Sequence, residues 1–250
     1  MSKIPVAIQP YTVRDHLSKD YKGTLTKIAE IGYRGIELGP PPKGMTIAEQ
    51  KSLLDQLGLK VIGFHSGLNE LESNPDEIVD YLEEVNAEKY VALSLGFESK
   101  EDLLIKAAKL NKIGARLNQR GVQLLYHNHD WEFNKFDGVY ALDLLRQETD
   151  PSFVKFELDT YWVKRGGQDP AGYLGGFFDR CPLLHIKDVE AGEEQFFAEI
   201  GEGILDFNAI AHAAEKAGTK WFIVEQDSCR RDALESIAIS YRNLQMLGFI

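Results

Sequence analysis

The sequence predicts a single-domain α/β chain over residues 1–250, folded as a (β/α)8 TIM barrel. Eight short runs rich in β-branched and aromatic residues recur along its 250 residues. The segments between them carry apolar residues at helical spacing, and no Pro/Gly/Ser linker, low-complexity tract or long charge run breaks the rhythm. Eight β-α units in this length suit a closed parallel barrel ringed by helices. The rival, an open doubly wound sheet, would favour a Gly-rich phosphate loop after the first strand, and "QPYTVRDHLS" has none.

The strands are expected, in order, at "IPVAIQ" (4–9), "YRGIEL" (33–38), "KVIGFH" (60–65), "KYVALSL" (89–95), "VQLLYHN" (122–128), "FVKFELDT" (153–160), "LLHIKD" (183–188) and "WFIVEQ" (221–226). Between them, Thr46-x-x-Glu49 and Ser99-x-x-Asp102 resemble capping boxes that begin helices. Gly32, Gly58, Gly121 and Gly218 stand where helices end, each ahead of a strand. Tyr21, Leu25, Ile28 and Ala29 fall on one helical stripe, as do Leu103, Ala107, Leu110 and Gly114.

Composition narrows the function classes. The hydrophobic content of 44% is ordinary for a globular chain, and no apolar run approaches the roughly 18 residues of a membrane span. The start "MSKIPVAIQPYTVRD" enters a strand-like run without the apolar region and cleavage site of a secretory leader, so a cytoplasmic location is expected. Cys181 and Cys229 are far apart and in no CxxC arrangement, which indicates neither a disulfide framework nor a cysteine zinc site. A formal charge of −11 disfavours nucleic acid and anionic membranes as partners.

Side chains alternate faces along a strand, so Glu157 and Asp159 share one face while Val154, Phe156 and Leu158 share the other, which should meet the helices. The same parity pairs His127 with His129, His185 with Lys187, and Glu225 with Asp227, each near the carboxyl end of its strand. Glu37 and His65 occupy comparable places in the second and third strands. In a closed barrel those ends converge on one mouth. Carboxylates and imidazoles facing each other in a partly desolvated pocket need compensation, and a divalent cation supplies it. Mixed oxygen and nitrogen ligation suits Mn²⁺, the first expectation, and equally Mg²⁺, Zn²⁺, Fe²⁺ or Co²⁺.

The strings "IQPYTVRD", "YHNHDWEF", "FELDTYWVKRGGQDP", "LLHIKD", "GEGILDF" and "VEQD" follow one another in an order that resembles the xylose isomerase-like sugar phosphate isomerase/epimerase superfamily over essentially the whole chain. The resemblance implies a TIM barrel and a divalent metal held by strand-end Glu, Asp, His and Glu. By position, Asp159, His185 and Glu225 match three of those ligands. At the fourth, on the fifth strand, this chain reads His127 where ketose epimerases often carry Glu. Either His127 is the ligand, the preferred expectation, or Glu157 replaces it. The change bears on mechanism, because those epimerases pair two symmetric glutamates across the substrate carbon.

The chemistry expected of such a site is proton removal next to a metal-bound carbonyl, through an enediolate. Glu157, Glu225, His129 and Glu37 are candidate bases, and Lys187 could stabilise an oxyanion or pass a proton to a departing oxygen. His65, Glu37, Trp162 and Arg14 are expected to touch a small-molecule carbohydrate, with Arg14, Arg165 and the loop 165–170 open to an acidic group. In "GEGILDF", Gly201 and Gly203 should allow a tight loop before Asp206 caps a helix. The leading expectation is a sugar or sugar phosphate isomerase/epimerase. The alternatives are a lyase of the same fold, either an inosose-type dehydratase or a 3-keto-glycoside eliminase, and a non-catalytic sugar-binding barrel. Homo-oligomer formation stays open.

Overall fold

Parallel pairing carries the chain around a full circle. In the computed structural model, which describes residues 4–250, the strands are β1 (Val6–Ile8), β2 (Gly35–Glu37), β3 (Lys60–His65), β4 (Tyr90–Leu93), β5 (Gln123–His127), β6 (Val154–Asp159), β7 (Leu183–Ile186) and β8 (Trp221–Val224). Each pairs with its sequence neighbours, and β1 also pairs with β8, closing the barrel. The chain is a TIM barrel, as expected. Residues 1–3 of the expected span, which begin the stretch read for a leader, lie outside the described residues.

The connecting helices begin and end where the local chemistry directs. Thr46 and Glu49 form a reciprocal capping box at the helix Ile47–Leu57, and Gly58 leaves it in the left-handed region at φ 64°. Ser99 accepts from the Asp102 amide at the start of Lys100–Asn118, and Asp206 accepts from the Ala209 amide ahead of Phe207–Ala217. On Lys100–Asn118 the stripe Leu103, Ala107, Leu110 and Gly114 is buried, with Gly114 so close to Phe153 that an added Cβ would meet its carbonyl oxygen at 2.5 Å.

Two short hairpins were not expected. Lys135–Phe136 pairs with Val139–Tyr140, and Asp188–Val189 with Phe197–Ala198. Two-residue strands are too brief for periodicity to detect. The second hairpin divides the run expected as one strand over 183–188, since β7 stops at Ile186 and Asp188 turns into the hairpin. Asp188, fully buried, accepts from the amides of Val189, Gly201, Gly203 and Leu205, which folds "GEGILDF" tightly beneath the mouth.

Inside the barrel, Ala7, Ile62, Ala92, Leu125, Leu183 and Ile223 form a dry floor separate from the larger core between sheet and helices. Each of β5, β7 and β8 carries its next inward residue, His127, His185 and Glu225, two positions beyond this floor. β3 departs from simple alternation. Its register with β2 slips between Ile36 and Glu37, so Ile62 lies in the floor and His65, three residues on, still reaches the mouth.

Candidate active site and metal centre

The carboxyl ends of the strands enclose a cleft of about 310 Å³, lined in part by Gln9, Tyr11, His65, His127, His129, Lys187, Glu225 and Asp227. His185 is its hub. Nδ1 of the fully buried ring lies 2.9 Å from Glu225 Oε2, and Nε2 lies 2.8 Å from Glu37 Oε2 and 3.4 Å from Glu157 Oε2. The ring thus divides the cluster into two sides. On one, His65 Nε2 reaches Glu157 at 2.7 Å and Glu37 at 3.5 Å, and Gln9 Nε2 donates to Glu37 at 3.0 Å. On the other, Lys187 Nζ meets Glu225 at 2.6 Å, Asp227 at 2.8 Å and Asp159 at 2.9 Å.

Charge follows this division. Burial works against ionisation of Glu37, yet His65 and His185 outweigh it and hold the carboxyl well below its usual range. Burial and Glu37 both push Glu157 up, but His185, His65 and His127 bring it down to about 2. Burial disfavours the His185 cation, and the carboxylates Glu157 and Glu37 nevertheless raise it well above its ordinary value. Lys187 is likewise raised, against its burial, by Asp159, Glu225 and Asp227. His127 goes the other way: burial, then the His185 charge, pushes it well below the ordinary range. His129 drops to about 4 through burial and the Lys187 charge. Asp159 rises to about 6 because burial outweighs Lys187 and His185.

A divalent ion fits these donors. Glu157 Oε1 is buried without a hydrogen-bond partner, while Asp159 Oδ2 stands 2.9 Å from Lys187 Nζ, Glu157 Oε2 2.7 Å from His65 Nε2, and the neutral His127 Nδ1 3.2 Å from Glu157 Oε2. A buried carboxylate oxygen left this way is uncommon, and the neutral His127 beside carboxylates suits a cation, whose binding would require His185 to give up its proton. Two overlapping quartets each bring four donor atoms within 4.8 Å of one another: His127, Asp159, His185 and Glu225, and His65, His127, Glu157 and His185. His127 and His185 belong to both. Asp159 and Glu157 thus fall in different quartets, although they share a face of β6.

The other expected residues divide. Trp162 borders the cluster, tilted against His129 with ring centroids 5.3 Å apart and 5.7 Å from Lys187 Nζ. The neighbouring Tyr161 is buried and stacks on Phe197 of the second hairpin. Arg14 lines an adjoining cleft rather than this one; its guanidinium sits over the Tyr11 ring and donates to the carbonyls of Tyr11 and Asp227. The helical turn after β1 carries it outward. Arg165 donates to the Glu194 carbonyl and lies 3.7 Å from Asp130.

Sequence reasoning missed Gln9, Asn128 and Glu132. Gln9 follows the parity of Ala7 at the end of β1, so the rule that found His185 would have found it. Buried Asn128 accepts from the Asp159 amide at 3.0 Å, tying the ends of β5 and β6. Glu132 lies in a helical turn beyond β5, where strand parity says nothing.

Residues 25–244 match the family described as xylose isomerase-like TIM barrel. This chain belongs to that family. Within reach of it, an inosose dehydratase of Geobacillus thermodenitrificans is 29% identical over 52% of this chain and 48% of its own length, so the match spans about half of that relative. An inosose dehydratase of Clostridium beijerinckii is 23% identical over 83% of this chain and 82% of its own. A crystal structure of a sugar phosphate isomerase/epimerase from Parabacteroides distasonis has a TM-score of 0.85 and 23% identity over 100% of this chain and 96% of its own, a likeness of fold. As a xylose isomerase-like barrel, the chain carries an enzyme family's scaffold and a cluster able to hold a metal. Among the described residues no helix is long and apolar enough to cross a membrane.

Proposed function

We propose that this family member is a divalent-metal-dependent lyase that dehydrates a small keto-carbohydrate, removing the proton beside its carbonyl and expelling a β-hydroxyl. His127, Asp159, His185 and Glu225 would hold the ion. This quartet combines two carboxylates with two imidazoles, whereas the other has a single carboxylate and its His65 is 32% exposed at the edge. When bound, the ion would supply Lewis acidity to a carbonyl and its neighbouring hydroxyl.

The rest is done by side chains. Glu157, ionised and outside the preferred quartet, is the base, with His65 at 2.7 Å to orient it and share its proton. Lys187, on the far side of His185, faces the departing oxygen as a cation and can give it a proton, which is then restored through Asp227 at 2.8 Å. The observation that carries the reading is this asymmetry: a carboxylate on one side of His185 and an ammonium on the other suit elimination. The names of the curated relatives agree with it.

Isomerisation or epimerisation is the second reading, favoured by the placement of Glu157 and Glu225 on opposite sides of the His185 ring. A panel of ketoses, inososes and 3-keto-glycosides in D₂O separates the two. Enone absorbance is expected with an inosose. Deuterium in recovered isomers without enone would instead establish the second reading, and saturable sugar binding without turnover would establish a binding barrel.

A further inference from the structure

We infer that Glu132 is a positioning residue whose buried side chain ties the ends of β4 and β5 together and holds the His129–Trp131 ring pair against the cleft. Glu132 is fully buried. Its Oε2 accepts from the His129 amide at 2.9 Å, and its Oε1 lies 2.6 Å from the Tyr126 hydroxyl. That hydroxyl is 2.8 Å from the carbonyl of Leu95, just beyond β4. The same carbonyl accepts from Trp131 Nε1 at 3.1 Å. The His129 and Trp131 rings then stack at 4.0 Å, 9° from parallel, and His129 lines the cleft. Tyr126 of β5 and the His129 amide thus close on the carboxyl group directly, and the Leu95 carbonyl joins Tyr126 to Trp131.

No cation lies within ion-pair reach of Glu132 among the described residues, and it belongs to neither metal quartet. A buried carboxyl group without a counter-charge is costly unless its hydrogen bonds are all made. Here they are, and the neutral acid satisfies them best: its O–H donates to Tyr126, Tyr126 donates to Leu95, and the other oxygen accepts from His129. Burial accordingly raises its pKa to about 7. Glutamine can reproduce this pattern, with its amide N–H in place of the acid O–H. Alanine cannot.

The experiment compares Glu132→Gln and Glu132→Ala in the metal-loaded full chain. Its kinetic arm rests on the proposed reaction. Alanine is expected to raise KM about tenfold with kcat within about threefold and metal content unchanged, while glutamine stays within about twofold of the parent. An unchanged KM in the alanine variant, or equal impairment by glutamine, overturns the assignment. If the parent turns over no substrate, the proposed reaction fails, and a second arm still judges Glu132. The Trp131 indole N–H signal, identified by its loss in Trp131→Phe, and the His129 amide should exchange with solvent at least about tenfold faster in the alanine variant and slowly in the glutamine variant. Exchange unchanged by alanine overturns the inference.

Discussion

Lys187 Nζ lies 2.9 Å from Asp159 Oδ2, so a carboxylate of the proposed metal quartet is already in contact with a tethered cation. Glu225 shares both relationships, at 2.6 Å from the same ammonium. In the proposed quartet Lys187 and a divalent ion would therefore compensate the same buried charge, one permanently and the other on binding.

Lys187→Met should therefore behave differently with and without metal. Removing one partner of a buried charge cluster typically costs about 3–5 kcal/mol, and that loss is expected in chelator. Added Mn²⁺ should recover part of it by binding only the folded state. Urea midpoints in the two conditions check this; equal losses would mean that Asp159 and Glu225 take no part in metal binding.

The two quartets make opposite claims about Glu157. Asp159→Asn and Glu225→Gln should weaken Mn²⁺ binding at least about tenfold, and Glu157→Gln should leave it within a few-fold while abolishing proton exchange from the substrate. Calorimetric titration of the three apo variants measures it. Retained binding in the first two with loss in the third would move the metal to the quartet of His65 and Glu157.

Stability should fall with rising pH through Glu132. Its acid form persists in the folded state up to about pH 7, against an ordinary value of 4.5 in the unfolded chain. Below pH 4.5 both states hold the proton; between 4.5 and 7 only the folded state does, so stability declines as pH rises, by on the order of 3 kcal/mol across the window. Glu132→Gln should remove that part of the slope, read as the difference between the two unfolding curves from pH 5 to pH 8.

Gly114→Ala should destabilise although alanine is the better helix former. Its new Cβ would meet the Phe153 carbonyl oxygen at 2.5 Å, a backbone atom that cannot rotate away. The cost of overpacking, about 1–3 kcal/mol, exceeds a propensity gain of about 1 kcal/mol. A thermal melt showing a higher midpoint would contradict the packing account.

The circle of strands and the ring of helices were legible in the residues alone, because β-branched runs, capping residues and terminal glycines are local signals. The residues also show that His127, Glu157, Asp159, His185, Lys187 and Glu225 face one mouth, since alternation along a strand is a local rule and parallel strands share direction. How these groups pair emerges only once the barrel is closed. A register slip beside Glu37 brings His65 over Glu157, a position that its spacing from Ile62 does not indicate. Arg14 turned away because a helical turn, not strand geometry, sets its direction. The three carboxylates around Lys187, and the meeting of Tyr126 and Trp131 on the Leu95 carbonyl, depend on distances between segments remote in the chain. Such distances are set by barrel closure and packing, which no local pattern encodes.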